Sequence, residues 1–276
     1  MIAEIAGQSH FVEANGLRHH VLRYGQDTDP AVLFLPGITS PAVTADFLAR
    51  RIAQHGFSIV VPDIRGRGQS DRAAPGAYRL EDYAADVNGI VEGLGLHRPI
   101  VIGHSMGARI AAAYVTAYAP RDHGLLVMID PPVSGPGRQP YPTSLDSFMR
   151  QLSEAKGGTT PEAVRSFYPN WPEREILIRI EALPSCDETA VRETHAGFES
   201  EDFFPYWRAV TQPALLIYGA KSPVVPEDAA RELASANPSV EIRAVANAGH
   251  MVPWDNETGF FDALLPALET AKNSQT

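Results

Sequence analysis

The chain has 276 residues, of which 44% are hydrophobic and 20% are charged, and its formal net charge at pH 7 is −10. This length suits one sizeable α/β domain with room for an inserted subdomain. The negative charge argues against nucleic acid or an anionic membrane surface as a partner. The single cysteine, Cys186, excludes a disulfide within the chain.

The first residues, Met1 to Glu4, contain no basic segment leading into an apolar run, so we expect no secretory signal. No stretch of the sequence approaches the roughly 18 apolar residues that a membrane-spanning helix needs. We therefore expect a cytoplasmic protein, and its oligomeric state stays open.

Predicted strands and helices alternate through the first half of the chain. Two short alternating runs flank Asn15-Gly16, a dipeptide typical of a β-hairpin turn. This alternation predicts a mainly parallel sheet with helices on both faces. In chain order, we predict strands at 11–14, 17–24, 31–35, 57–61, 100–102 and 125–129, with helices at 43–54, 80–94 and 108–118.

The alternation stops between about Val133 and Tyr206, where prolines and aromatic residues accompany helical stretches without a clear buried strand. We interpret residues 133–208 as a helical cap, inserted into a core domain formed by residues 1–132 and 209–276. Core order resumes with strands at 214–218 and 240–245 and with helices at 226–235 and from about 256 onward.

Gly103-His104-Ser105-Met106-Gly107 fits the G-x-S-x-G pattern of a nucleophile elbow. A strand before it and a helix after it would place Ser105 at a sharp turn, where larger side chains at the two glycine positions would collide. The N-terminus of the following helix favours negative charge near the serine. The same pattern also occurs where an ordinary helix begins with small residues, so other residues must decide its interpretation.

A serine nucleophile needs a base, and the base needs an orienting group. His250 is the best base among the nine histidines, because it lies in a loop after the last predicted strand. The strand at 214–218 is followed by Ser222 at the usual place for an acid. Its hydroxyl cannot carry the charge that stabilises an imidazolium, so we expect a Ser222→Ala variant to change activity little.

The carboxyl end of the preceding strand carries Asp130, which we expect to orient His250. The two strand ends should be neighbours at one edge of the sheet. The proline after Asp130 biases the backbone of the aspartate toward an extended conformation. Glu227 and Asp228 are the alternative acids, although they suit the first turn of a helix equally well.

An oxyanion hole requires two backbone N–H groups that point at the reacting oxygen. We expect one from Met106, directly after the nucleophile. The second candidate is the N–H of Ile38, in the loop after the strand at 31–35, where Gly37 permits the necessary turn.

With these residues assembled, the chain resembles the α/β-hydrolase superfamily over nearly its whole length. The segment Asp130-Pro-Pro-Val-Ser-Gly-Pro-Gly is more restricted than the others and is similar to deformylases of that superfamily, which also take their acid from this strand. The segments that carry the resemblance are 36–42, 63–68, 103–109, 130–138 and 246–255.

This resemblance implies a serine-dependent amidohydrolase that releases formate from N-formylmaleamate through a formyl-enzyme, with no metal or organic cofactor. The same fold and triad also serve hydrolases of other acylated enamide dicarboxylates, carboxylesterases and carbon–carbon bond hydrolases. A ligand-binding receptor on this fold is the non-enzymatic alternative, which the intact set of Ser105, Asp130 and His250 disfavours.

An anionic substrate would need a cationic partner, and any single arginine is as well explained as a solvated surface charge. The candidates for substrate binding are Arg138, Lys221, Arg174 and the aromatic Trp254. Arg150, Arg165 and Arg179 of the predicted cap are further candidates for binding the anion, and Trp171 is a second aromatic candidate for the pocket wall.

Overall fold

The structure, a computed structural model, describes residues 4–119, 123–211 and 213–274. Met1 to Ala3, part of the segment in which we expect no secretory signal, lie outside these residues. The strands are β1 (Gln8–Ala14), β2 (Leu17–Tyr24), β3 (Ala31–Leu35), β4 (Ser58–Pro62), β5 (Ile100–His104), β6 (Leu126–Ile129), β7 (Ala214–Gly219) and β8 (Glu241–Val245).

These strands form one eight-stranded sheet in the order β1-β2-β4-β3-β5-β6-β7-β8. β1 and β4 flank β2 in antiparallel pairs, and every other neighbouring pair is parallel. The predicted hairpin joins β1 to β2, and its turn residues Asn15 and Gly16 have φ values of +50° and +75°. A mainly parallel sheet is therefore confirmed, and it brings the carboxyl ends of β3, β5, β6, β7 and β8 to one edge.

Helices connect the strands of the sheet. The predicted helix at 43–54 is a 3-10 turn, Ala42–Ala45, followed by α1 (Asp46–Ala53). The others are α2 (Leu80–Gly93), α3 (Met106–Ala117), α4 (Leu145–Gly157), α5 (Pro161–Phe167), α6 (Glu173–Ala182), α7 (Glu188–Ser200), α8 (Phe204–Ala209), α9 (Glu227–Ala236), α10 (Val252–Asp255) and α11 (Glu257–Asn273). No helix of the described ranges is long and apolar enough to cross a membrane.

The central strands are buried on both faces, which explains their continuous apolar runs. In β3, Leu33 and Leu35 pack on one face with residues of α2 and α3, whereas Val32 and Phe34 pack on the other with residues of α11. β5 alternates in the same way. The sheet is therefore a rigid platform whose strand ends hold the loops between strands and helices.

Helices α4 to α8 all lie between β6 and β7, in the segment where the sequence predicts a cap. The last of them, α8, packs against α3 and α9 of the core. Trp207 of α8 is fully buried and donates a hydrogen bond from Nε1 to the carbonyl of Leu233, at 2.9 Å. The segment is thus attached to the core at its C-terminal end, and the boundaries at 133 and 208 stay a prediction.

A buried ion pair joins the loop after β4 to α2. The Arg65 guanidinium donates two hydrogen bonds to Asp86, and both side chains are almost fully shielded from solvent. Asn15, in the hairpin turn, donates to the same carboxylate at 3.0 Å. Burial would raise the pKa of Asp86, but the hydrogen bonds from Arg65 and the His19 ring, 3.6 Å away, lower it below its usual value.

Replacing Asp86 by alanine leaves the Arg65 guanidinium buried without a counter-charge. We expect Asp86→Ala to lower the free energy of unfolding by about 3–5 kcal/mol at pH 7, measured by urea denaturation. The folded pKa of Asp86 is depressed, so its contribution is present at neutral pH and is lost as the pH falls through that pKa. The difference between the two proteins should therefore shrink in acid.

The matched control is Glu227→Ala, which removes an exposed i,i+4 pair with Arg231 on α9. Such pairs contribute little, so this variant should unfold at nearly the same urea concentration as the wild type. Equal stability of Asp86→Ala and Glu227→Ala would contradict the account of the buried pair.

Candidate active site

Ser105 lies at the turn between β5 and α3, and its backbone is strained there, with φ +55° and ψ −119°. The flanking glycines leave the space that this turn needs. A Cβ on Gly103 would lie 2.1 Å from the carbonyl oxygen of Gly107, and one on Gly107 would lie 1.9 Å from that of Leu35. Neither contact is sterically possible. Both positions therefore require glycine, because the backbone of a neighbouring segment approaches so closely.

Three side chains from three different strand ends meet at this edge of the sheet. Ser105 Oγ lies 2.9 Å from His250 Nε2, and His250 Nδ1 lies 2.7 Å from Asp130 Oδ2. The strand register explains part of this arrangement: His104 of β5 pairs with Ile129 of β6, so the next residues, Ser105 and Asp130, leave the sheet side by side. The geometry is that of a nucleophile, a base and an orienting acid.

The Asp130 carboxylate accepts hydrogen bonds from more than one segment. Oδ2 accepts from His250 and, at 2.6 Å, from the hydroxyl of Ser222, while Oδ1 accepts from the backbone N–H of Gly219 at 3.1 Å. The Ser222 hydroxyl accepts in turn from the N–H of Val224 at 3.1 Å. Ser222 therefore contacts the acid directly, a contact that our expectation for Ser222→Ala did not take into account.

The backbone of Asp130 has φ +49°, so the extended conformation that we expected from the following proline is wrong. A non-glycine residue with positive φ is strained and must be held by its surroundings. The hydrogen bonds from Gly219 and Ser222 hold it here. Burial raises the pKa of Asp130 above its usual value, while interactions with His250, Ser222 and Gly219 oppose that increase.

His104 supports the loop that carries the base. Its Nε2 donates to the backbone carbonyl of His250 at 3.0 Å, and the two rings lie 5.1 Å apart. Complete burial, together with the nearby His250 ring, lowers the pKa of His104 to about 3. His104 is therefore neutral at physiological pH and adds no charge beside the base.

The loop that contains Ile38, the expected donor to an oxyanion, is anchored from two sides. Arg67 donates from Nε to the carbonyl of Ile38 at 3.0 Å, and Arg179 of α6 donates to the carbonyl of Thr39 at 2.7 Å. Ile38 lines the cavity at Ser105. Met106, the other expected donor, begins α3 directly after the nucleophile, so both expected donors lie beside Ser105 in the fold.

A cavity of about 310 Å³ lies over Ser105 and His250. Tyr141, from the segment between β6 and α4, is buried there with its hydroxyl 3.5 Å from His250 Nε2. Burial raises the pKa of Tyr141, while interactions with Ser105 and Thr143 oppose that shift, so the phenol stays protonated. Tyr141 is thus a neutral hydrogen-bond donor at the centre of the site.

The side chains that we expected to bind substrate lie outside this cavity. Arg138 lines a separate cavity of about 460 Å³, pairs with Glu232 at 2.6 Å and lies over the ring of Phe204. Arg174 pairs with Asp46 and Glu175. These two cations therefore have counter-charges already and lie away from the cavity at Ser105.

Lys221 and Trp254 also lie outside this cavity. Lys221 is exposed, and its backbone N–H donates to the carbonyl of Ala248 at 2.9 Å, which fixes the loop before the base. Trp254 is buried behind His104 at a ring distance of 5.4 Å and stacks on Trp171 at 5.5 Å. Both tryptophans therefore pack behind the site and do not line its cavity.

A sequence profile of the alpha/beta hydrolase family matches residues 32–263. The chain belongs to the alpha/beta hydrolase family. It is similar to an N-formylmaleamate deformylase of Pseudomonas putida, with 41% identity over 255 residues, covering 91% of this chain and 93% of the relative. A 2-(acetamidomethylene)succinate hydrolase of Mesorhizobium japonicum is 30% identical over 234 residues, covering 81% of this chain and 82% of that relative.

Solved structures agree with this membership. A crystal structure of an N-formylmaleamic acid deformylase from Pseudomonas putida superposes on this alpha/beta hydrolase with a TM-score of 0.87 and 36% identity, covering 94% of this chain and all of that chain. The predicted fold class, and the resemblance to deformylases of the superfamily, are confirmed.

Sequence reasoning gave no role to Tyr141 in this alpha/beta hydrolase and did not single out Arg179 among the cap arginines. Tyr141 lies between two prolines, shortly after the restricted segment that begins at Asp130. A tyrosine between two prolines, in the loop that follows the acid, could have indicated a side chain held near the site. Arg179 had no such signal, because only the packing of α6 brings it to the cavity.

The hydrogen bond from Ser222 to Asp130 makes a prediction for this alpha/beta hydrolase. We expect Ser222→Ala to lower kcat about tenfold, the size of effect of one hydrogen bond to a charged group. Removing it also removes an interaction that lowers the pKa of Asp130. The acidic limb of the kcat profile should therefore move to higher pH, measured with p-nitrophenyl acetate.

Asp130→Asn is the reference variant, with an expected loss of about 10⁴ in kcat because a neutral amide favours the wrong histidine tautomer. An unshifted pH profile for Ser222→Ala would contradict the proposed contact. If Ser222→Ala loses more activity than Asp130→Asn, the assignment of the acid is wrong.

Proposed function

We propose that this alpha/beta hydrolase cleaves the formyl amide of N-formylmaleamate and, with one water, yields maleamate and formate. The observation that carries the proposal is the hydrogen-bonded series Ser105–His250–Asp130 in a chain that is 41% identical to an N-formylmaleamate deformylase. A serine activated in this way attacks acyl carbons, and the relative's substrate supplies the acyl group.

In the first half of the proposed reaction, Ser105 Oγ bonds to the formyl carbon while His250 Nε2 takes its proton. Asp130 stabilises the imidazolium through Nδ1. The carbonyl oxygen becomes an oxyanion, held by the backbone N–H groups of Ile38 and Met106. His250 then gives its proton to the nitrogen, the C–N bond breaks, and maleamate leaves.

In the second half, His250 takes a proton from water, and the resulting hydroxide adds to the formyl ester of Ser105. The bond to Oγ breaks, the proton returns from His250 to the serine, and formate leaves. The protonated hydroxyl of Tyr141 lies 3.5 Å from His250 Nε2 in the same cavity and can donate a hydrogen bond to Oγ as that bond breaks.

The substrate's own chemistry suits this mechanism. A formyl carbon is small and electrophilic, so it fits a cavity of about 310 Å³ beside the serine. The nitrogen is shared with a second carbonyl, which makes it a better leaving group than a simple amine.

We propose that residues 133–208 act as a cap over the core formed by residues 1–132 and 209–276. Tyr141 and Arg179, which line the cavity at Ser105, both belong to this segment. The cap would thus supply the side chains that choose the substrate, while the strand ends of the core carry out the chemistry.

Hydrolysis of another acylated enamide dicarboxylate is the second candidate, favoured by the 30% identity to a 2-(acetamidomethylene)succinate hydrolase. The two substrates differ in the acyl group that the serine receives: formyl in the first and the larger acetyl in the second.

The purified enzyme should release formate from N-formylmaleamate, measured with a coupled formate dehydrogenase. Ser105→Ala should abolish both this release and labelling by a fluorophosphonate, because both need the serine oxygen. We expect acetate release from 2-(acetamidomethylene)succinate to be much slower.

Good turnover of p-nitrophenyl acetate without any formate release would contradict the proposed substrate while leaving a serine hydrolase. Equal labelling of the Ser105→Ala variant would contradict the nucleophile itself.

A further inference from the structure

Arg179 reaches the cavity of Ser105 from α6 of the cap. Its side chain is only 4% exposed, yet it lies among the residues that line this cavity. Apart from the histidines, it is the one cationic side chain that the described part of the chain contributes to the lining. A positive charge is therefore held in a shielded position in the space that the substrate would enter.

This charge has no counter-charge among the described residues. Arg65, Arg138 and Arg174 each pair with a carboxylate, but no described aspartate or glutamate forms an ion pair with Arg179. Leaving a guanidinium buried without a counter-charge is costly unless its N–H groups have acceptors. The residues around it supply polar, uncharged partners only.

The hydrogen bonds of Arg179 leave part of its guanidinium free. Nη1 donates to the carbonyl of Thr39 at 2.7 Å, and Nη2 donates to the Thr39 hydroxyl at 3.1 Å. Nε is buried and has no acceptor within the described ranges. A guanidinium carries five N–H donors, so the Nε–H and the second N–H of Nη2 remain as a planar pair. That pair matches the two oxygens of one carboxylate.

Arg67 is a useful comparison, because it is a buried arginine that anchors the same loop and yet leaves no guanidinium nitrogen without an acceptor. It is also buried, forms no ion pair with the described carboxylates and holds the same loop through the carbonyl of Ile38. Its other N–H groups, however, have acceptors in Arg65, Tyr83, Ala190 and Thr194. Arg67 does not line the cavity at Ser105. The unpaired donors of Arg179 thus belong to a side chain that lines the cavity, whereas the paired donors of Arg67 do not.

We propose that Arg179 is the specificity-determining residue of this enzyme and binds, through Nε and Nη2, the carboxylate that the substrate retains after its acyl group is transferred. The proposal rests on the proposed function, since it concerns the substrate of the same serine. Thr39 holds the guanidinium beside the loop of Ile38. A carboxylate bound there would orient the acyl carbon toward Ser105, and neutral esters would lack this contact.

The test compares an anionic and a neutral substrate in wild type, Arg179→Gln and Arg179→Lys. Glutamine retains a donor toward Thr39 but no charge. We expect Arg179→Gln to raise KM for N-formylmaleamate about 30-fold or more, the effect of losing one partner of a buried charge pair, and Arg179→Lys to recover part of the loss. The loss of kcat/KM for p-nitrophenyl acetate should be at least about tenfold smaller than the loss for N-formylmaleamate, because this ester bears no carboxylate and can be affected only through the contact of Arg179 with the loop of Ile38.

A purely structural role predicts a different pattern. If Arg179 only holds the oxyanion loop, both substrates should lose kcat by the same factor, as we expect for Arg67→Gln. An equal loss for both substrates, or an unchanged KM for N-formylmaleamate in Arg179→Gln, would overturn the proposal.

A second arm separates this proposal from the deformylase function. Maleate and its uncharged diamide, maleamide, are compared as inhibitors of p-nitrophenyl acetate hydrolysis. We expect maleate to compete in the wild type at least tenfold better than maleamide, and to lose that advantage in Arg179→Gln. Equal inhibition of the wild type by both compounds would overturn the carboxylate site, even if either variant failed to fold. If maleate inhibits selectively but N-formylmaleamate releases no formate, the deformylase function is refuted and the carboxylate site is retained.

Discussion

The carboxylate of Asp130 is buried at the carboxyl edge of the sheet, where a negative charge is stable only if donors surround it. Those donors come from separate segments: the His250 ring, the Ser222 hydroxyl and the backbone N–H of Gly219. The parallel pairing of β6 with β7, and of β7 with β8, brings these segments together. The same contacts hold the strained backbone of Asp130. The orientation of His250, and with it the hydrogen bond between His250 and Ser105, therefore depends on the Asp130 carboxylate.

Close contacts between backbone segments fix the position of the loop of Ile38 relative to Ser105. A Cβ on Gly107 would overlap the backbone of Leu35, so the elbow and the end of β3 are in direct contact, and the loop that carries Ile38 starts beside Ser105. Arg67 in the loop after β4 and Arg179 on α6 then fix this loop at adjacent carbonyls. Helix α6 is thereby connected to the loop of Ile38 as well as to the cavity, so the proposed binding of substrate by Arg179 would also act on the loop beside the reacting atoms.

Much of the fold followed from the sequence, because apolar runs, glycine spacing and turn dipeptides are local signals. The neighbouring positions of Ser105, His250 and Asp130 were expected, since carboxyl ends of parallel strands share one edge. The contact of Ser222 with Asp130 was not predicted, because we considered only whether Ser222 could replace the acid and not whether it could hydrogen-bond to it. The roles of the arginines in residues 133–208 were harder still to predict. Arg138 pairs with Glu232, which is distant in sequence. No local pattern therefore distinguishes an arginine with a counter-charge from one without.

The central claim is that Ser105 carries a formyl group during turnover, and partitioning by an added nucleophile tests it most directly. With hydroxylamine present, N-formylmaleamate and phenyl formate would be turned over separately, and formohydroxamate and formate measured after subtracting the uncatalysed rates. A shared formyl-enzyme predicts one ratio of formohydroxamate to formate for both substrates, independent of the leaving group. Different ratios for the two substrates would contradict the formyl-enzyme and with it the proposed role of Ser105.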